Sequence, residues 1–261
     1  MGNLSITILR TLALVAGLSS AVGWASEPAK PALQPVAQPQ KAVAPSPVAT
    51  SESKVILPPG AAQAPAPFEG DGWRPMFDGQ SLAGWRETPF AGHGEVHCQA
   101  GVLVLNMGDP FTGVNWTNDF PKVNYEVAFD AMRVMGSDFF CGLTVPVGTN
   151  FCSFIVGGWG GSLVGISSLE GMDASENETT RFSQFESGRW YRIRLRVTEK
   201  RIQGWIGKEK LVDVVTTGKR ISVRPGDIEH SKPFGLAAWQ TTAALREVKF
   251  RPVSGPAGKG D

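Results

Sequence analysis

Trp190-Tyr191-Arg192-Ile193-Arg194-Leu195-Arg196-Val197 is the stretch on which the fold reading turns. Tyr191, Ile193, Leu195 and Val197 fall on one face and Arg192, Arg194 and Arg196 on the other, the period of two of a half-buried strand. Residues 201–207 and 211–215 follow, with tight turns at Glu199-Lys200 and Gly207-Lys208, so the region reads as a β-meander. Working outward, short runs recur at 102–106, 125–134, 139–145, 151–156, 162–167, 234–239 and 243–253. Roughly ten strands without a convincing helix predict an all-β, two-sheet sandwich of the jelly-roll kind. No segment repeats at a fixed period, which argues against a propeller or solenoid.

The composition agrees. The 261 residues carry 31 glycines and 19 prolines, a turn-rich balance. Lys plus Arg is 25 against 24 Asp plus Glu, which argues against a nucleic-acid partner. Residues 26–67 hold 10 of the 19 prolines and no aromatic, whereas only one aromatic, Trp24, precedes residue 68. The chain therefore divides into an export signal at 1–25, a disordered Pro/Ala-rich linker at 26–67, one β-sandwich domain at 68–253 and a flexible tail at 254–261. The signal reads from Arg10, an uncharged stretch from Thr11 and the small residues flanking Trp24 in Gly23-Trp24-Ala25. Cleavage is the expectation, with an uncleaved anchor as the alternative. No later segment is apolar enough to span a membrane. The expected location is periplasmic, secreted or cell-surface.

Three stretches carry a family resemblance. Phe77-Asp78-Gly79-Gln80-Ser81-Leu82-Ala83-Gly84-Trp85 opens the domain. The Trp190 meander follows, and Phe234-Gly235-Leu236-Ala237-Ala238 leads to Arg246-Glu247-Val248-Lys249-Phe250-Arg251-Pro252. This order resembles the 3-keto-disaccharide hydrolases over residues 71–252. The resemblance implies a concanavalin-A-like jelly roll facing a sugar already oxidised at carbon 3. Such a ketone acidifies the neighbouring C–H, so the aglycone can leave by elimination followed by hydration. That chemistry needs a base, an acid and often a cation on the ketone. The family's Glu-x-Gln motif, and its Asn-Ser-Gly followed by Arg, have no counterpart in the corresponding stretches, 138–143 and 151–156, where only Gly142 matches.

Candidate site residues come from the chain itself. Asp138, Glu170 and His97 are the candidates for acid–base work. Trp159, flanked by four glycines, and Trp239 are candidates for stacking on a sugar, the alternative being core tryptophans. Arg194 in the arginine stripe could bind an anionic sugar, or the stripe could be an ion-paired strand face. The segment 170–179 gathers four carboxylates, and Asp173 and Glu176 with nearby carbonyls are the candidate ligands for calcium. A solvated acidic loop is the competing reading. Cys98, Cys141 and Cys152 are odd in number, and Cys141–Cys152 is the pair that a hairpin could bridge. The lead expectation is a carbohydrate partner cleaved as a 3-keto-glycoside. The rival is a non-catalytic glycan-binding or surface-scaffolding module.

Overall fold

A computed structural model describes residues 55–253. The candidate signal, the linker up to residue 54 and the tail from 254 lie outside the described residues. In chain order the strands are β1 (Arg74–Pro75), β2 (Trp85–Glu87), β3 (Val96–Gln99), β4 (Val102–Leu105) and β5 (Phe111–Trp116). Next are β6 (Tyr125–Gly136), β7 (Cys141–Val147), β8 (Asn150–Gly158), β9 (Leu163–Ser167) and β10 (Arg181–Phe182). The last five are β11 (Trp190–Val197), β12 (Arg201–Ile206), β13 (Glu209–Val215), β14 (Gly235–Trp239) and β15 (Thr241–Pro252). Two short 3-10 turns, Pro59–Ala62 and Asp227–Ser231, are the helical pieces among the described residues.

The strands form two antiparallel sheets. One has eight strands, in the order β13-β12-β11-β6-β15-β4-β3 with β1 also paired to β15. The other has seven, in the order β10-β9-β8-β7-β14-β5-β2. Neighbours in space are often far apart in sequence, as in a jelly roll. Alternation sends Phe129, Ile193 and Leu195 of the first sheet and Leu143, Phe154, Ile166 and Leu236 of the second into one shared core. The strand 190–197 therefore faces as its alternation predicts. Cys141 and Cys152 also point into this core, but Cys141 lies opposite Val156 and Cys152 opposite Val145. They are four register positions apart, and all three thiols are free. Burial pushes the Cys152 thiol up to about 12, so it behaves as an apolar filler.

The ordered domain starts earlier than the composition suggests. Val55, Leu57 and Ala61 pack against Val102, Val104, Met132 and Ala244 on the outer face of the eight-stranded sheet. Side chains of that sheet then hold the segment by its carbonyls. Gln99 donates to Val55, Arg246 to Gln63, Arg192 to Ala66, and Arg251 to Glu69 and Asp71. Residues 55–67 are thus a strap packed on the sheet and not a disordered linker. Proline-rich backbone suits this role, because it needs few donors of its own and is stiff before it docks.

The opening motif is a folding device. Asp78 Oδ1 accepts from the amides of Gln80 and Ser81 at 2.8 Å each, and Oδ2 accepts from the Ser81 hydroxyl. These bonds hold the Asp78 carboxyl below its usual range. The turn delivers Trp85 into the core, where its Nε1 donates to the Met76 carbonyl at 2.7 Å. Gly84 sits at φ +79°, and a Cβ there would lie 2.7 Å from the Trp116 ring.

Candidate functional site: a cleft on the outer face of the seven-stranded sheet

The outer face of the seven-stranded sheet is built in rows. Gly113, Ala237, Gly142, Ile155 and Gly165 lie side by side across five strands. The three glycines of this row admit the Phe90 and Phe139 rings and Ala174, each about 3 Å from a Cβ built on the glycine it faces. The next row is polar, Asn115, Gly235, Thr144, Ser153 and Ser167. Its members are buried, and each side chain has a partner. Thr144 and Ser153 bond to each other at 2.8 Å, and Asn115 accepts from Thr88 and donates to the His230 and Lys232 carbonyls.

Over these rows opens a cleft of about 460 Å³. Its apolar walls are Phe111, Phe139, Ile155 and Trp239, with Trp159 at the edge. Phe111 and Trp239 meet edge to face at 4.5 Å. Trp159 is 43% exposed, so part of its side chain is open to solvent at the cleft. It sits at φ +49°, a region that L-residues with large side chains avoid. The four flanking glycines allow the tight turn, and something must hold the tryptophan in it.

That something is Arg133. It projects from β6, is buried, and lies 5.2 Å from the centre of the Phe140 ring. Its Nη2 donates to the carbonyls of Asp138, Gly157 and Gly161 at 3.2, 3.3 and 2.9 Å. Nη1 donates to Phe185 at 3.3 Å. Among the described residues no carboxylate lies within salt-bridge distance of this guanidinium, and burial pulls its pKa down against the opposing charge of Asp138. A Cβ at Gly157 would lie 2.7 Å from Nη2, so the glycine makes room for the clamp. Arg133 thus fixes both ends of the Trp159 turn and the backbone of Asp138.

Two carboxylates of the cleft have defined surroundings. Asp138 is half-buried; Oδ1 accepts from the Phe139 amide at 2.7 Å and Oδ2 from the Gly160 amide at 3.1 Å. A carboxylate offers about four acceptor sites, so each oxygen keeps capacity toward the cleft. Asp173 Oδ1 accepts from the Ser167 hydroxyl and the Ala174 amide, and Oδ2 meets Arg224 Nη1 at 2.8 Å. Arg224 is 61% exposed and lines the same cleft, as does the exposed Asp227 after the Pro225-Gly226 turn.

The structure therefore brings together Asp138, Trp159, Trp239 and Asp173 among the residues singled out from the sequence. It places the others elsewhere. His97 is on β3 of the other sheet, near Gln99 and Glu95. Arg194 is on β11 of that sheet, paired with Glu126 at 3.0 Å. Glu170 is exposed and accepts from the Arg220 amide. Glu176 is exposed at the tip of its loop, and Asn177 closes that loop by donating to the Ile166, Met172 and Asp173 carbonyls. The carboxylates of 170–179 do not converge, and Asp173 is neutralised by Arg224. Among the described residues no three His, Cys, Asp or Glu side chains gather as a metal site. Asp173 and Glu176 thus do not form a shared site for a divalent cation among the described residues. Ser153, Ser167 and Arg224 were not singled out from the sequence. Gly142, Thr144, Ser153, Gly165 and Ser167, small or polar at every second position between large apolar residues, are the signal that marks this face.

Fold and cleft define the class: a two-sheet jelly-roll domain with an aromatic, acidic cleft on one outer face. The chain belongs to the family of 3-keto-alpha-glucoside-1,2-lyase-like domains, whose model matches residues 72–253. Among solved structures it is similar to a provisionally assigned glycosyl hydrolase from Parabacteroides distasonis, at 13% identity over 70% of this chain and 95% of that one, TM-score 0.48. It is also similar to the carbohydrate-binding module CBM66 from Bacillus subtilis, at 12% identity over 64% and 95%, TM-score 0.45. A Bacillus subtilis protein with a galectin-like fold matches at 11% identity over 66% and 90%, TM-score 0.47. No curated protein matches the chain.

Proposed function

We propose that the cleft binds a saccharide and that the protein cleaves 3-keto-glycosides by elimination. The observation that carries this is the meeting of a half-buried carboxylate, Asp138, an exposed guanidinium, Arg224, and an exposed indole, Trp159, around one cleft. In this reading Trp159 stacks on the sugar ring. Asp138 takes the proton from carbon 2. The C–H electron pair moves toward the carbon 3 oxygen, giving an enolate whose charge Arg224 opposes. Collapse of the enolate restores the ketone and makes the existing carbon 1–carbon 2 bond double as the carbon 1–oxygen bond breaks, and the departing aglycone oxygen takes the proton that Asp138 removed. Water then adds across the new double bond. No step needs a metal.

The test is incubation of the full chain with 3-keto-glycosides and with the parent glycosides. Aglycone release from the ketones alone, undiminished by chelator, is expected. Asp138→Asn should cut the rate at least a hundredfold while saccharide binding, measured by calorimetry, is kept. Full activity in Asp138→Asn would overturn the assignment of the base. One observation favours a second reading, that of a glycan-binding module: both oxygens of Asp138 and of Asp173 already accept hydrogen bonds within the protein. Binding of a saccharide without release from any ketone would select it. An export route to the periplasm or cell surface fits either reading, and the location of the tagged full chain in cell fractions tests it.

A further inference from the structure

The outer face of the eight-stranded sheet carries a charge imbalance that the fold alone does not explain. Glu126 and Asp130, four residues apart on β6, are its buried acids, at 0% and 4% exposure. Glu126 receives Arg194, Arg196 and Arg251 at 3.0, 3.2 and 2.8 Å. Asp130 receives Arg192 at 2.5 Å and Arg246 at 3.2 Å. Five guanidinium groups thus share two carboxylates. Among the described residues no other carboxylate lies within 4 Å of these arginines. Three positive charges therefore exceed the carboxylates within reach. Strap carbonyls and the rings of Phe68, Trp73, Trp190 and Trp205 take up part of that excess, in a partly desolvated layer where like charges repel more strongly than in water.

The surplus borders a cavity. Between the strap residues 66–69, Trp73 and β11 lies a space of about 420 Å³, into which Arg192, Arg194 and Lys208 face. Arg192 spends Nε on Asp130 and Nη2 on the Ala66 carbonyl. Arg194 makes one hydrogen bond within the described residues, from Nη1 to Glu126, and its Cζ lies 4.1 Å from the Trp205 ring centre. A guanidinium has five N–H donors, so most of those on Arg194 have no acceptor there. Its side chain is 25% exposed and that of Arg192 is 19% exposed, so both are oriented by packing yet reachable. Lys208 on the β12–β13 turn has no carboxylate within salt-bridge distance among the described residues, and the exposed Glu69 is the single acid at the rim.

We propose that this cavity is a second binding site, on the opposite sheet from the cleft, for a compact oxyanion: a carboxylate or phosphate group, free or carried by an acidic saccharide. Rigid guanidinium forks match the two oxygens of such a group, and an anion there offsets the surplus charge. This inference does not rest on the proposed lyase activity.

Titration calorimetry of the full chain tests it, with inorganic phosphate, a trigalacturonate and a neutral trisaccharide as probes. Phosphate, trigalacturonate or both should bind, and affinity should fall as salt rises. Which of the two binds identifies the source of the oxyanion. Lys208→Gln should weaken binding at least threefold. Arg194→Gln with Lys208→Gln should weaken it at least tenfold without shifting the thermal midpoint by more than a few degrees, because Glu126 keeps Arg196 and Arg251. Failure of both anions to bind overturns the proposal. So does binding unchanged in the Lys208 variant, or binding lost only on Arg224→Gln, which would place the anion in the cleft.

Discussion

The two outer faces of the sandwich solve one problem in opposite ways. Each sheet turns polar side chains away from the shared core, and on each face those side chains end up buried. On the seven-stranded sheet the buried groups are neutral, and they are satisfied locally: Thr144 by Ser153, Asn115 by Thr88 and two carbonyls. The cleft above them stays open. On the eight-stranded sheet the buried groups are charged, Glu126 and Asp130 among five arginines, and the strap 55–67 with the residues that follow it, to Asp71, covers part of them. A neutral hydrogen-bonded floor can be left beside solvent for a ligand. A charged floor is held mainly by its own network, even where Arg192 and Arg194 keep a side open to the cavity, and a variant that unbalances it should cost more.

The sharpest way to break this comparison is to remove one charge from each face. Glu126→Gln leaves Arg194, Arg196 and Arg251 without their shared buried partner. It should lower unfolding free energy by about 3–5 kcal/mol. Asp173→Asn, whose partner Arg224 is exposed, should cost under about 1 kcal/mol. Urea midpoints of the two variants test the pair, and equal losses would show that the faces do not differ in this way. Next in size is Arg133→Met. The clamp loses four carbonyl contacts, and the expected loss is about 2–3 kcal/mol. Amide exchange should rise selectively at 157–161. A uniform rise across the sandwich would show Arg133 to be a core residue and not a support of the cleft.

What the sequence makes legible follows from periodicity. The 190–197 strand shows its buried face, because alternation of Ile, Leu and Val with Arg is a local property. The opening motif is the clearest mark of the family, and its residues build a turn and a core tryptophan, none of which lines the cleft. Family resemblance is therefore stronger evidence for the fold than for the chemistry. Trp159 was legible as a candidate because it stands among four glycines, Trp239 because it is a tryptophan at a predicted strand, and Asp138 as a lone acid at the start of one. Their meeting was not, since β14 inserts between β5 and β7, strands far from it in sequence. Arg224 sits in a loop with no periodicity and meets Asp173 only through tertiary folding. The strap was hidden because proline-rich composition looks the same whether the chain is free or docked on a sheet.

Trp159 tests whether the open face stores strain for function. Replacing it by Ala keeps a Cβ at φ +49°, whereas Gly removes that cost. Trp159→Gly should therefore be more stable than Trp159→Ala by about 1 kcal/mol. Both should lose about tenfold or more in saccharide affinity, measured by calorimetry. If Ala and Gly are equally stable, the turn is unstrained and the tryptophan is positioned by contacts alone. If affinity survives, the ring is not the platform.

The smallest effect comes from a charge cluster outside the strap. Asp213 on β13 accepts from Arg201, from Lys210 at 2.5 Å and from Gln203 at 3.1 Å. Burial raises its pKa, but these bonds outweigh it and hold the carboxyl at about 2 against a usual 3.8. The folded value is the lower one, so the contribution to stability is present above about pH 3.8 and is lost as pH falls toward 2. The arginine and lysine partners are each more than 40% exposed, so screening keeps the contribution well under about 1 kcal/mol. Wild type should exceed Asp213→Asn slightly in urea midpoint at pH 5, and the gap should close by pH 2 and in about 1 M salt. Glu126, with the same kind of partners but no exposure, should keep its advantage in that salt. If both acids respond alike to salt, burial under the strap is not what separates a structural charge from a surface one.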